Sequence, residues 1–128
     1  MDKLGLHDVI AQSKARQAAR LQARADEELR AFREVFDEQF GEGLDQLGIE
    51  FATPNLTPAA RITGTEVYIT ARKDGKWDSG SEWSIYRDKT KIPQTPWSHF
   101  AIPDATEPDE AFDLMMIKIG EMLSKSQT

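Results

Sequence analysis

The first third of the chain carries apolar side chains at helical spacing. Residues 6–40 contain no proline or glycine and are mostly alanine, glutamine, arginine, glutamate and leucine, which are good helix formers. At about 3.6 residues per turn the apolar positions fall on one stripe, formed by Ile10, Ala18, Leu21, Ala25, Leu29, Phe32, Phe36 and Phe40. Gly41 and Gly43 follow and are typical of a helix end. The pattern predicts one long amphipathic helix from about Leu6 to Phe40.

Alternation of apolar and polar residues predicts two strands in the middle of the chain. The first spans Thr63 to Arg72 and the second Glu82 to Arg87. One face is apolar in both strands and holds Val67, Ile69 and Ala71 in the first and Trp83 and Ile85 in the second. An Asp-Gly pair in the connecting segment is a strong hairpin signal. The two strands are therefore expected to pair antiparallel.

The register of this hairpin depends on the length of its turn. A two-residue turn at Asp74-Gly75 would place Trp83 opposite Glu66, which moves Trp83 off the apolar face of the first strand. A longer loop, or a bulge near Gly80, returns Trp83 to that face. The small and polar residues around Gly80 favour the longer loop or the bulge.

The remaining segments complete the predicted fold. A short apolar run, Ile49–Ala52, predicts a short strand or an extended linker, and a loop with three prolines precedes the last helix. That helix, about Pro108 to Ser124, has proline in its first turn and apolar residues at helical spacing. The class is α+β: a long N-terminal helix, a small antiparallel sheet of two to four strands, and a C-terminal helix packed on the sheet. Residues 1–43 are interpreted as an amphipathic helix used for assembly, and residues 44–128 as a small α+β domain.

The length of the first helix predicts a partner. Thirty-five helical residues give a rod of about 50 Å, whereas a compact domain of this chain length is about 36 Å across. Isolated helices are rarely stable without tertiary contacts, so either a second copy or another protein covers the apolar stripe, or the helix is broken. We expect a homodimer in the form of a coiled coil. Its interface is formed by Leu21, Ala25, Leu29, Phe32 and Phe36.

Charge favours an antiparallel arrangement of two such helices. From Lys14 to Arg24 there are four bases and no acid, and from Glu34 to Asp45 there are five acids and no base. An antiparallel pair crossing near Leu29 sets bases against acids at both ends, whereas a parallel pair opposes like charges. The alternative is that these charges simply face solvent.

The overall charge limits the classes of partner. The chain has 16 basic and 22 acidic residues, a net charge of −6, which argues against a protein devoted to coating nucleic acid. A local basic segment remains, and it supplies four possible phosphate contacts: Lys14, Arg16, Arg20 and Arg24. A nucleic-acid-binding accessory protein is therefore the alternative function.

The sequence contains no recognisable catalytic or cofactor motif. Cysteine is absent, which excludes thiolate metal sites and cysteine nucleophiles, and the two histidines are His7 and His99. Ser98 is adjacent to His99 in sequence, which is not the geometry of a catalytic triad. We expect no enzyme activity, no cofactor and no metal. The absence of cysteine and of a long apolar segment favours a cytoplasmic protein without membrane contact.

Aromatic residues supply the candidate partner-binding surface. Tyr68, Tyr86 and Arg72 are expected on the non-core face of the hairpin, and Trp77 near its tip. Such residues anchor protein partners, stack on bases, or are simply covered by the last helix. The sequence thus favours a non-catalytic protein–protein interaction module, a small dimeric accessory, adaptor or inhibitor protein that acts by surface complementarity.

Overall fold

A computed structural model describes residues 3, 5–72 and 80–125. Two helices and five strands follow one another in the order α1 (Leu6–Phe40), β1 (Ile49–Ala52), β2 (Ala59–Ile62), β3 (Tyr68–Ala71), β4 (Gly80–Tyr86), β5 (Ser98–Pro103) and α2 (Pro108–Lys125). The α+β class and both helices are confirmed. The sheet has five strands, which is one more than the upper limit predicted.

The long helix ends where the sequence predicted. Gly41 adopts a φ of +48°, in the left-handed region that favours glycine, and its N–H donates to the carbonyl of Asp37. The chain then continues as a 3-10 helix, Gly41–Gln46, which leads into β1. No helix in the described part of the chain is both long and apolar enough to cross a bilayer.

The five strands form an antiparallel meander in the order β1-β2-β3-β4-β5. Ile69 pairs with Ile85 and Ala71 with Trp83, so Trp83 lies on the apolar face of β3. This confirms that the β3–β4 connection is longer than a two-residue turn. The Asp74-Gly75 pair lies in residues 73–79, outside the described residues.

Three details of the predicted strands are wrong. Residues 63–66 form a turn instead of the start of β3, because the Ile62 N–H bonds the Val67 carbonyl and Gly64 takes a φ of +81°. The preceding strand, β2, was not predicted, since it has only four residues directly after a proline. β5 lies in the segment interpreted as a proline-rich loop, where Phe100 and Ile102 alternate with exposed neighbours.

The core lies between the two helices and one face of the sheet. Phe32, Phe36 and Phe40 surround Trp83 with ring centroids 6.1, 5.8 and 5.0 Å from its own. Aromatic pairs at such distances and tilts stabilise beyond the area that they bury. Helix α2 packs on the sheet as predicted and contributes five buried residues: Ala111, Phe112, Met115, Ile119 and Met122.

The N-terminal half of α1 extends away from this core. From residue 6 to residue 24 every position is exposed except Leu21, which is half-buried, and Ala25 is the first buried residue of the helix. Gln22 Nε2 donates to Thr53 Oγ1 at 3.2 Å and marks where α1 reaches the rest of the chain. We call residues 6–24 the arm, and its 19 residues are about 28 Å long.

Candidate functional site

The arm presents both apolar and basic side chains to solvent. Leu6, Val9 and Ile10 are exposed, Leu6 by 73% of its surface. The four predicted phosphate contacts, Lys14, Arg16, Arg20 and Arg24, are all exposed along the arm. Arg16 Nη2 donates to Ser13 Oγ of the same helix at 3.2 Å. The basic segment is thus accessible to solvent along its whole length.

The predicted dimer residues fall in two environments. Phe32 and Phe36 are buried against the chain's own sheet, and Leu29 packs partly against the same core. Ala25 is also buried. Leu21 is half-buried at the base of the arm. The aromatic part of the stripe therefore has its contacts within one chain. The sequence could not distinguish the two environments, because a helix stripe has the same spacing whether its own domain or a partner covers it.

A second line of side chains on α1 shares Ile10 and Leu21 with this stripe and is exposed at every position except the half-buried Leu21. It has the alternating three- and four-residue spacing of a coiled-coil interface, and its members are Ile10, Lys14, Gln17, Leu21, Arg24, Glu28, Ala31 and Val35. We call this line the open seam. Half of the surface of Val35 is exposed although the neighbouring Phe36 is fully buried. The open seam runs from the arm onto the body of the protein without interruption.

The predicted aromatic surface is covered. Tyr68 and Tyr86 do pair across β3 and β4 on the non-core face, as expected. Both are buried, however, in a small cluster with Ala59 and Ile92, and the Tyr86 hydroxyl donates to the Pro93 carbonyl at 3.1 Å. The loop after β4, rather than the C-terminal helix, supplies this cover.

The other two predicted partner-binding residues are placed differently. Arg72 is 45% exposed, and its Nη1 lies 2.6 Å from Glu82 Oε1 in an ion pair across β3 and β4. Trp77 lies outside the described residues. The structure therefore does not assemble the four aromatic and arginine side chains into one exposed patch.

A cavity of about 770 Å³ opens where β2 and β3 separate. Pairing between these strands is limited to Ala60↔Ile69 and Arg61↔Tyr68. The next hydrogen-bonding position along β2 is Pro58, which has no N–H to give to the ladder. Residues from both faces of the sheet and from α1 consequently line the same cavity.

A row of three polar side chains on the non-core face of the sheet lines this cavity. Thr70 pairs with Ser84 across β3 and β4, and Ser84 pairs with His99 across β4 and β5, so all three share one face. Ser84 Oγ lies 2.8 Å from His99 Nδ1. We call Thr70, Ser84 and His99 the polar row. The sequence alone does not reveal this row, because the register of β3, β4 and β5 decides which side chains lie next to one another.

The polar row does not have the geometry of a serine nucleophile site. His99 contacts Ser84 through Nδ1, and among the described residues no carboxylate hydrogen-bonds to this imidazole. The serine in a triad needs a base that a third group orients. Ser98, the neighbour in sequence, contacts only the His99 carbonyl, at 3.4 Å. The imidazole of His99 therefore contacts Ser84, which is distant in sequence, and not its sequence neighbour Ser98.

The geometry thus offers two features that can bind something: the open seam on α1 and the cavity with the polar row. No cluster of three or more side chains able to hold a metal ion occurs within residues 5–72 and 80–125. Comparison of the chain with family models, with curated proteins and with solved structures finds no match in any of the three.

Proposed function

We propose that the chain is a non-catalytic protein–protein interaction module that works as a homodimer, in the manner of a small accessory, adaptor or inhibitor protein. The observation that carries this proposal is the arm, 19 helical residues that are exposed along nearly their whole length. A helix of this length without tertiary contacts is marginal in water. A second copy supplies the missing contacts.

The open seam is the surface through which two copies meet. Antiparallel pairing that sets Ile10 against Val35 of the partner subunit also sets Leu21 near the middle of the contact. This arrangement covers the exposed parts of Val35 and Ile10 together. The crossing point then lies near residues 22 and 23, on the arm side of the Leu29 crossing expected from the charge pattern alone, because the phenylalanine stripe is already occupied.

Charge supports the same arrangement. Residues 1–24 carry five bases and two acids, a net charge of +3, and residues 25–128 carry eleven bases and twenty acids, a net charge of −9. An antiparallel pair lays each basic arm on the acidic body of its partner. In particular, Lys14 lies about one helical turn from Glu28 of the partner subunit in this register.

Sedimentation velocity at micromolar concentration tests the dimer. We expect the wild-type chain to sediment as a dimer and Val35→Glu to weaken dimerisation about tenfold or more, because it places an acid in the apolar part of the interface. Ile117→Glu is the matched control, since Ile117 is 61% exposed on α2 and lies away from the open seam. A wild-type monomer at these concentrations would refute the proposal.

A charge exchange tests the antiparallel register. Lys14→Glu and Glu28→Lys each oppose like charges and should weaken the dimer, whereas the double variant restores the attraction with its sign reversed. Both positions are exposed, so neither change disturbs the core. If the double variant is no better than the sum of the single ones, the two residues do not meet across the interface.

Nucleic-acid binding is the second candidate, and the exposure of all four bases of the arm favours it. Binding to phosphates releases counterions, so affinity for a DNA or RNA duplex would fall steeply with salt. Arg16 and Arg20 lie off the open seam, and Arg16→Gln with Arg20→Gln would lower this affinity without weakening the dimer. No binding of single or double strands at low salt would exclude this candidate.

A further inference from the structure

We propose that the cavity is a binding site for an uncharged ring compound that carries hydrogen-bonding groups along one edge. The polar row contacts this edge, and apolar side chains enclose the ring. Glu28, Ala31 and Val35 of the open seam also line the cavity, but the polar row lies on β3, β4 and β5 of one chain. The inference therefore goes beyond the proposed dimer and does not depend on it.

The size and lining of the cavity suit a small ligand. Small-molecule sites are typically clefts of about 300–1,000 Å³ with mainly apolar walls and a few convergent polar groups, and this cavity measures about 770 Å³. Its apolar lining includes Phe32 and Val35 of α1, Leu56 before β2, and Pro93 and Pro96 after β4. Proline and aliphatic side chains on facing walls offer contact area without taking up the hydrogen-bonding capacity of a ligand.

The polar row lies where such a cavity would orient a ligand. Thr70 and Ser84 are the only buried polar residues in the described part of the chain, with 4% and 2% of their surfaces exposed. Within that part the Thr70 hydroxyl has no hydrogen-bond partner, yet no fully buried polar side-chain atom there is unsatisfied. The Thr70 hydroxyl therefore opens into the cavity, where a ligand can donate to it or accept from it.

The neighbouring pair, Ser84 and His99, adds a second group that can either donate or accept a hydrogen bond. Ser84 Oγ and His99 Nδ1 share one hydrogen bond whose direction depends on the imidazole tautomer. Strands in a sheet lie about 4.8 Å apart, so Thr70 and Ser84 present two hydroxyls at that spacing. Two polar contacts so placed fit the edge of a ring that carries an amide or a comparable donor–acceptor pair.

The charges around the cavity favour a neutral ligand. Arg72 and Glu28 are the charged residues among its described lining. Arg72 is already paired with Glu82 at 2.6 Å, which leaves no uncompensated cation for a carboxylate or phosphate. Glu28 is exposed, so its carboxylate stays in contact with solvent. A charged ligand at the polar row would lose its hydration without gaining an ion pair.

Access does not require the dimer interface to open. Val35, which belongs to the open seam, and Leu56 are exposed on one side of the cavity. On the other side His99, Pro93 and Gln94 are themselves exposed. A ligand can therefore reach the polar row from the loop after β4 while a second copy covers α1.

Three probes of nearly equal shape test the ligand class with the full chain. Naphthamide, naphthoate and naphthylmethylamine differ in the charge of one substituent, and two-dimensional amide NMR reports where each binds. We expect naphthamide to bind most tightly and to shift the amides of Thr70, Ser84 and His99. Tighter binding of naphthoate or of naphthylmethylamine, or no saturable shift with any probe, overturns the proposal.

Two variants test the role of the polar row. Thr70→Val keeps the volume of the side chain and removes its hydroxyl, so we expect naphthamide affinity to fall about fivefold, and Ser84→Ala to act in the same direction. Thr63→Val, in the turn after β2, is the control with no expected effect. Unchanged spectra elsewhere show that the fold is intact. If both row variants bind naphthamide as the wild type does, the hydroxyls do not recognise the ligand and the proposal fails.

Discussion

Single side chains connect the two ends of β4 to neighbouring elements. The Ser81 hydroxyl donates to Gln39 Oε1 at 2.9 Å and accepts from Trp83 Nε1 at 3.1 Å, which ties the start of β4 to α1. At the other end of β4, the Tyr86 hydroxyl fixes the following loop through Pro93. These polar atoms lie where two elements meet, and they satisfy one another, as groups shielded from water require.

Two glycines provide a matched test of packing at this level. In Gly80→Ala the added Cβ would clash with the Ile102 carbonyl oxygen and lie 3.0 Å from Pro103 Cα, so backbone must move. We expect a loss of about 1–3 kcal/mol in the free energy of unfolding. In Gly120→Ala no atom beyond the adjoining residues and backbone of α2 lies within 4 Å of the new Cβ, and this change should stabilise by about 0.5–1 kcal/mol. Urea unfolding measures both, and equal effects of the two changes would contradict the close approach at Gly80.

Asp88 provides a test of pH dependence. The Thr90 main-chain N–H donates to Asp88 Oδ1 at 2.9 Å, and this hydrogen bond, with help from the Thr90 side chain and from Lys91 and Lys89, lowers the pKa of Asp88 below its ordinary value. A carboxyl with a lowered folded pKa contributes stability above its unfolded pKa and loses that contribution as the pH falls through the folded pKa.

We expect the side-chain carboxyl NMR signal of Asp88 to titrate below the range of ordinary aspartates. Thr90→Ala, which removes the side-chain contact but keeps the main-chain N–H, should move the midpoint only part of the way up. A wild-type midpoint at or above the ordinary aspartate value would show that the hydrogen bond does not form in solution.

At the level of elements, α1 is one helix in two environments. Its C-terminal half supplies the phenylalanines that surround Trp83, whereas its N-terminal half has almost no contacts within the chain. Helix formation is cooperative, so the packed half supports the arm by extending an existing helix rather than by contacts along it. The same element therefore contributes to the core and offers a surface for assembly.

Substitutions in the two halves should separate these roles. Phe36→Ala removes a fully buried ring and should cost about 3–5 kcal/mol in the free energy of unfolding. Val9→Ala, in the exposed arm and off the open seam, should change it by less than about 0.5 kcal/mol. Urea unfolding at the lowest practical protein concentration compares the two variants without a contribution from dimerisation. A comparable loss at both positions would mean that the arm folds against the body in solution.

For the whole molecule, the main feature is the separation of charge. The first 24 residues have a net charge of +3 and the rest of the chain −9, so the basic end of the rod faces away from an acidic body. Exposed charges more than a Debye length apart are largely screened, and that length is about 10 Å at 0.1 M salt and about 3 Å at 1 M. Association of arm and body should therefore depend on salt.

We expect the dimer dissociation constant to rise several-fold between low and high sodium chloride, because screening weakens attraction between the basic arm and the acidic body of the partner. Sedimentation equilibrium across a salt series measures it. Val35→Ala should weaken the dimer by the same factor at every salt concentration, because its effect is apolar. A wild-type dissociation constant that falls with salt would mean that the interface joins like charges.

The pattern of residues along the chain was enough for the elements whose signal is local. The bounds of α1, the last helix and the facing of Trp83 follow from spacing, capping and the parity of alternation. For Ile49–Ala52 the pattern left a short strand and an extended linker open, and the structure has the strand β1. β2 and β5 were not predicted, because short strands flanked by prolines carry only a weak local signal for strand structure. Their pairing partners stabilise them, and those partners are distant in sequence.

What lies on each surface was decided only by the tertiary structure. The sequence determined that α1 has an apolar stripe, but the packing of β4 and α2 decided that its phenylalanines are buried within the chain and that the open seam beside them is not. Likewise the sequence placed Thr70, Ser84 and His99 on predicted or unassigned segments, and only the register of three strands aligned them in one cavity. The spacing of residues determines which face of an element each residue occupies. Burial depends on which other element covers that face, and that element is distant in sequence.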